Sequence, residues 1–70
     1  MSEWKSVKGR ELLRSLLRNG WEIARVRGSH HTLQKPGFEN YVFSFRDSEE
    51  IGPNMVARVA KKTGLRPEDL

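Results

Sequence analysis

The stretch "WEIARVRGSHHTLQK" (residues 21–35) decides the fold, because it holds two strand-like segments separated by only two residues. The first segment, "WEIARVR", is rich in aromatic and β-branched residues, and "HHTLQK" predicts a second short strand. The intervening Gly28-Ser29 pair begins with glycine, which is typical of a type II′ turn. We therefore predict an antiparallel β-hairpin with its turn at Gly28-Ser29.

An amphipathic helix is predicted before the hairpin, over "SVKGRELLRSLLRNG" (residues 6–20). Ser6 is a suitable N-cap, and Glu11 lies early in the helix, where negative charge is favoured. The helix has a stop signal at Asn19-Gly20. Its apolar stripe has helical spacing and consists of Leu12, Leu13, Leu16 and Leu17.

A third strand and a second helix are predicted after the hairpin. "YVFSFR" (residues 41–46) alternates aromatic residues with others, and "PNMVARVAKKTG" (residues 53–64) begins with proline and ends with glycine, as helices often do. The apolar stripe of this helix consists of Met55, Val56, Val59 and Ala60. The order α-β-β-β-α predicts an α+β fold with a three-stranded antiparallel sheet and both helices on one face.

Length and composition restrict the function. Seventy residues predict one domain (residues 1–70), too small to enclose a cofactor. The formal net charge of +4 and a pI near 10.0 favour a polyanionic partner, although a merely soluble basic protein has the same totals. The absence of cysteine excludes thiol chemistry and Cys-type zinc sites and fits a reducing cytoplasm. No apolar run approaches the ~20 residues of a membrane span, and "MSEWKSVKG" has no apolar signal region, so we expect neither a membrane segment nor a signal peptide.

The predicted hairpin assigns side chains to two faces. With a two-residue turn, Arg27 lies opposite His30, and cross-strand partners project to the same face. Alternation then places one polar set together: Arg25, Arg27, His30, Thr32 and Gln34. The other face, which we expect to pack against the helices, carries Ala24, Val26, His31 and Leu33. Trp21 and Ile23 fall on the polar face by this count, and only a bulge or a change of twist near the start of the strand moves them inward.

The polar face has a composition suited to RNA cleavage. A histidine both takes and gives a proton near neutral pH, and the ribose 2′-hydroxyl is a nucleophile that a general base can activate. Arginines such as Arg25 and Arg27 can stabilise the charge that develops on the phosphate. The alternative interpretation is a tolerated surface histidine beside solvated charges. His31, on the apolar face, is expected to be a core or edge histidine with local hydrogen bonds.

The chain resembles HicA-type toxins, the small mRNA interferases of toxin–antitoxin pairs that are also called the YcfA-like family. The likeness covers nearly the whole chain. Its elements are the opening "KGRELLRSLLRNGW", the "GSHH" motif, "LQKPG", and the closing "IGPNMVARVAKKTGLRPEDL" with its Gly-Leu-x-x-Glu pattern. The resemblance implies a double-stranded-RNA-binding-like fold, ribonuclease activity, a HicB-type antitoxin, and catalysis by the histidine directly after Gly-Ser, which is His30.

The chain departs from the family pattern after the third predicted strand. Family members often carry a proline and a histidine there, whereas this chain has "FSFRDSEE" (residues 43–50) and no further histidine. The acidic "DSEE" is also electrostatically unfavourable next to an RNA-binding face.

Our leading hypothesis is a cytoplasmic, metal-independent endoribonuclease toxin that needs no cofactor. His30 acts as general base or acid, Arg25 and Arg27 bind phosphate, and Lys35 or Arg46 extends the binding groove. Gly28 supports the turn through its backbone, and Ser29 either supports the turn or donates a hydrogen bond. The alternatives are a non-catalytic RNA- or DNA-binding module, or an inactive HicA-like protein that only binds its antitoxin.

Overall fold

The structure of the chain is a computed structural model that describes residues 3–46 and 48–70. Met1, Ser2 and Asp47, the first residue of the acidic "DSEE" segment, lie outside the described residues. The elements in chain order are β1 (Val7–Lys8), α1 (Gly9–Arg18), β2 (Glu22–Arg27), β3 (His30–Gln34), β4 (Tyr41–Ser44), β5 (Glu50–Ile51), α2 (Pro53–Thr63) and a short 3₁₀ helix (Pro67–Asp69).

The α+β fold and the three-stranded antiparallel sheet are confirmed. The sheet has the order β2-β3-β4, so that β3 is central. Buried residues of α1 and α2 share one core with the side of the sheet that carries Leu33 and Phe43. The polar side of the sheet is left open.

A β-bulge in β2 resolves the misfit of the apolar residues at its start. Ile23 pairs with Leu33 and Arg25 pairs with Thr32, so Ala24 is an extra residue in β2. The bulge moves Ile23 to the helix-covered side of the sheet, and Trp21 is buried in the core. Ala24 is exposed, so the prediction that it packs against the helices is wrong.

The hairpin end extends beyond the area that the helices cover. Every residue of β2 is exposed, and Val26 keeps 55% of its surface accessible although it lies on the same side as Leu33. The prediction that Val26 packs against the helices is therefore wrong. The structure instead presents the turn and its flanking residues to solvent on both sides of the sheet.

Helix α1 starts later than predicted. Val7 and Lys8 pair with Ile51 and Glu50 to form a separate two-stranded sheet, β1-β5, so Ser6 lies outside the helix. The N-cap position is Lys8, without a side-chain cap, and the prediction of Ser6 as N-cap is wrong. The predicted end of the helix at Asn19-Gly20 is confirmed, with Gly20 at a φ of 97°.

The predicted apolar stripes are buried only in part. Leu12, Leu16, Val56, Val59 and Ala60 lie in the core, whereas Leu17 and Met55 are exposed. A hydrogen bond supplements the apolar packing where the elements meet, because the Trp21 Nε1–H donates to the carbonyl oxygen of Thr63 at 3.2 Å. The described part of the chain contains no helix with both the length and the apolar character needed to cross a bilayer.

Candidate functional site

The site begins with the tight turn that joins β2 to β3. Gly28 has a φ of 59°, and no described non-glycine residue has a positive φ, so Ser29 does not share this conformation. This combination is the type II′ geometry predicted for Gly28-Ser29. The turn fixes the register of the hairpin and places Arg27 opposite His30.

Five polar side chains share the open side of the sheet next to this turn. The pairs Arg27–His30 and Arg25–Thr32 come from the β2–β3 ladder, and His30 pairs with Ser44 across the β3–β4 ladder. We call this group the open-face cluster: Arg25, Arg27, His30, Thr32 and Ser44. His30 therefore lies in the central strand, with an arginine on one side and a serine on the other.

The open-face cluster is basic and accessible to solvent. Arg25, Arg27 and His30 are exposed, and no ion pair forms at either arginine among residues 3–46 and 48–70. Both guanidinium groups are free to bind an anion. The imidazole of His30 makes no hydrogen bond with the described residues, so its orientation is set only by its place on the strand.

Two further residues of β4 lie on this face and were not predicted from the sequence. Ser44 is opposite His30, and Val42, opposite Thr32, is 52% exposed. The alternation of "YVFSFR" contains the signal, because burial of Phe43 and Phe45 turns Val42 and Ser44 to the opposite side. The exposed Val42 adds an apolar surface on which a base can lie.

Neither Lys35 nor Arg46 lies next to His30. Lys35 follows the far end of β3, where its Nζ lies 5.0 Å from the centre of the Phe38 ring. Arg46 follows the end of β4 and lines a shallow depression on the helix side of the turn. Of the predicted phosphate-binding residues, the structure thus brings only Arg25 and Arg27 together with His30.

His31 lies on the opposite side of the sheet from His30 and has fixed neighbours. Its Nδ1 is 3.1 Å from the Ser29 carbonyl oxygen and 3.2 Å from the Phe43 carbonyl oxygen. Its ring is stacked on Phe45, with centroids 4.8 Å apart and planes 8° from parallel. His31 is half-buried, and the prediction of local hydrogen bonds is confirmed.

The described residues contain no group of three or more histidine, cysteine or acidic side chains that could hold a metal ion. A pKa shift occurs away from the hairpin turn, where burial raises the pKa of the Tyr41 phenol above its ordinary value of 10.0. The open-face cluster itself offers imidazole, guanidinium and hydroxyl groups.

Comparison with known proteins identifies one family. Residues 9–65 of the chain match the family model described as the HicA toxin of bacterial toxin–antitoxin systems. The matched range runs from the start of α1 to the residue after the C-cap of α2 and includes the whole hairpin. The comparison with curated proteins gives no significant match.

Proposed function

Because the chain belongs to the HicA toxin family of bacterial toxin–antitoxin systems, we propose that it is an endoribonuclease that cleaves mRNA with His30 as its single catalytic histidine. Membership in this family also implies an antitoxin partner. We propose that this antitoxin is HicB-like and that the toxin acts in the cytoplasm, where mRNA is present. The succession α1-β2-β3-β4-α2, to which the short strands β1 and β5 are added, supports a double-stranded-RNA-binding-like fold for this activity.

The observation that carries the proposal is the position of His30 in the open-face cluster, directly opposite Arg27. In the reaction, His30 takes the proton of a ribose 2′-hydroxyl, and the 2′-oxygen attacks the adjacent phosphorus. The bond from phosphorus to the 5′-oxygen breaks, and this oxygen receives a proton from the imidazolium or from water. Arg25 and Arg27 stabilise the charge that builds on the phosphate oxygens. The step requires no metal ion.

The second candidate function is a nucleic-acid-binding module without catalysis. It is favoured by the free imidazole of His30, which no described residue orients. The loss of the second family histidine after β4 favours it too. A protein that only binds its antitoxin is the limiting case of this alternative.

Tightly controlled expression of the chain and of His30→Ala separates these functions. We expect growth arrest and loss of bulk mRNA with the unchanged chain, and neither with His30→Ala. Lys61→Ala, a change at an exposed residue of α2, is the matched control and should remain toxic. With purified proteins and a chelator present, the unchanged chain and Lys61→Ala should cleave a single-stranded RNA, and His30→Ala should not.

The pH dependence provides a second measurement on the same proteins. If His30 is the general base, the cleavage rate should increase with pH, because only the neutral imidazole can take the proton of the 2′-hydroxyl. Cleavage by His30→Ala at the rate of the unchanged chain contradicts the assigned residue. RNA binding without any cleavage supports the second candidate.

A further inference from the structure

A shallow depression that is open to solvent lies beside the turn, on the side of the sheet opposite His30. It has a volume of about 350 Å³, at the lower end of the range for ligand pockets. We call it the turn pocket; its lining residues are Gly28, Ser29, His31, Phe45 and Arg46. It therefore combines an imidazole, an aromatic ring and a guanidinium group in one place.

The hydrogen bonds of His31 determine which of its nitrogens can act on a ligand. Both partners of Nδ1 are carbonyl oxygens, which only accept hydrogen bonds, so Nδ1 carries the hydrogen. In the neutral ring, Nε2 is then an acceptor, and no described residue supplies a donor for it. Stacking on Phe45 fixes the plane of the ring. His31, a lining residue of the pocket, thus has a fixed ring and a hydrogen-bond acceptor that no described residue occupies.

The second feature is the positive charge of Arg46. Its main-chain N–H donates to Glu49 Oε1 at 2.9 Å, which anchors the backbone, and Arg46 is an exposed residue of the pocket lining. Among the described residues its guanidinium group takes part in no ion pair. Guanidinium groups match the oxygens of a phosphate in geometry and charge.

We propose that the turn pocket is a ribonucleotide subsite in which His31 Nε2 accepts a hydrogen bond from a ribose 2′-hydroxyl while Arg46 binds the adjacent phosphate. A deoxyribose has no hydroxyl to donate, so this contact distinguishes RNA from DNA. The inference rests on the proposed function, because it takes RNA as the ligand. RNA that occupies this subsite passes around the end of the hairpin, since His30 lies on the other side of the sheet.

Binding measured without cleavage tests the subsite. In a His30→Ala background, we compare a single-stranded RNA oligonucleotide with the all-deoxy oligonucleotide of matched sequence, both with uracil. One hydrogen bond to the 2′-hydroxyl predicts roughly three- to tenfold tighter binding of the RNA. Adding His31→Phe, which keeps an aromatic ring next to Phe45, should remove this preference. Adding Arg46→Gln should weaken binding of both oligonucleotides by the same factor.

Equal affinity for the two oligonucleotides, or a preference that persists in His31→Phe, overturns the subsite. A direct observation covers the case in which His31→Phe does not fold. In ¹⁵N-labelled His30→Ala protein, the Nε2 resonance of His31 should shift on addition of the RNA and stay in place on addition of the deoxy oligonucleotide. Identical responses overturn the proposal.

The proposed function fails separately. If the RNA preference depends on His31 but the unchanged chain cleaves no RNA, the subsite stands and the nuclease does not. If the chain cleaves RNA without any contribution of His31 to binding, the nuclease stands and the subsite does not. Cleavage that survives His30→Ala and is lost in His31→Phe overturns the role of His30, and the RNA preference in binding then decides the subsite by itself.

Discussion

The two sides of the sheet at the hairpin turn treat adjacent histidines in opposite ways. On the open side, His30 is exposed beside Arg27 and has no described hydrogen-bond partner. On the helix side, His31 donates to two carbonyl oxygens and is stacked on Phe45. The surroundings of His30 are therefore characterised by positive charge, and those of its neighbour His31 by hydrogen bonds and stacking that orient the ring. Two residues of the same type at adjacent positions of a β-strand can therefore have different chemical roles, because they project to opposite sides of the sheet.

The largest effect is expected from reversing charge on the open side. Arg27→Glu removes a cation that binds phosphate and adds repulsion, so RNA affinity should fall roughly ten- to hundredfold in low salt, as for the loss of a charged hydrogen bond. The slope of log affinity against log salt should become shallower by about 0.7 for each phosphate that the variant no longer neutralises. The measurement is a salt titration of RNA binding in a His30→Ala background.

Lys35→Glu makes the same change of charge at the far end of β3 and is the matched control. Its effect should be clearly smaller, because Lys35 lies beside Phe38 and away from the turn. Equal decreases in affinity for Arg27→Glu and Lys35→Glu would mean that net charge, and not the open-face cluster, drives binding.

The next largest effect is expected at Gly9, which packs against Phe45, a lining residue of the turn pocket. A Cβ atom on Gly9 would lie 2.5 Å from Phe45 Cδ2, 2.6 Å from Cγ and 2.8 Å from Cβ of the same residue. Gly9→Ala should therefore cost about 1–3 kcal/mol of unfolding free energy through overpacking. The displaced Phe45 ring should also change the NMR signals of His31 more than those of His30.

Denaturant unfolding and ¹⁵N spectra of the imidazoles check this prediction. Gly52→Ser is the control, because a Cβ there meets no atom within 4 Å and serine is favoured at the N-cap of α2. Unchanged stability of Gly9→Ala would show that Phe45 moves aside freely and does not hold His31.

A smaller effect separates the histidines by stability. His31→Ala removes the hydrogen bonds of Nδ1 and the stacking on Phe45, so we expect a decrease of about 1–2 kcal/mol in unfolding free energy. His30→Ala removes no described interaction and should change stability by less than about 0.5 kcal/mol. Thermal and urea unfolding of the two variants provide the measurement, and a reversed order would contradict the assignment of an oriented and a free imidazole.

The smallest effect is expected from Tyr41, which lies at the end of the sheet away from the hairpin turn, and concerns the pH dependence of stability. Burial raises the pKa of Tyr41, so its neutral form is favoured in the folded chain while the unfolded chain ionises near the ordinary value of 10.0. This contribution to stability is complete below that pH and decreases as the pH rises above it. Tyr41→Phe should flatten the decline in urea midpoint above about pH 10. An identical decline in both proteins would show that Tyr41 does not contribute to it.

The sequence was sufficient for the hairpin and for the open side of the site, because a Gly-Ser pair between two strand patterns specifies the turn, and the turn specifies the register. Pairing of Arg27 with His30 follows directly. The extra residue Ala24 was not predictable in position, since alternation shows that a bulge is needed but not where it occurs. The pairing of β1 with β5 was not predicted, because strands of two residues are too short to show a periodic pattern.

The helix side of the site was least predictable. Its pocket depends on where β4 ends, since Phe45 and Arg46, the two residues after the last strand residue Ser44, line the depression together with His31. The exposure of Val26 depends on how far the hairpin extends beyond the helices, which is a tertiary property. Local sequence patterns contain neither quantity.

Strand β2 is an edge strand of the described three-stranded sheet, and this position bears on self-association of the chain. An exposed edge offers unpaired main-chain groups to a second copy of the same strand, which is a route to aggregation. The bulge at Ala24 interrupts the regular ladder, and charged Glu22, Arg25 and Arg27 line the rest of the strand. These features oppose pairing of like strands at an edge strand whose residues are all exposed.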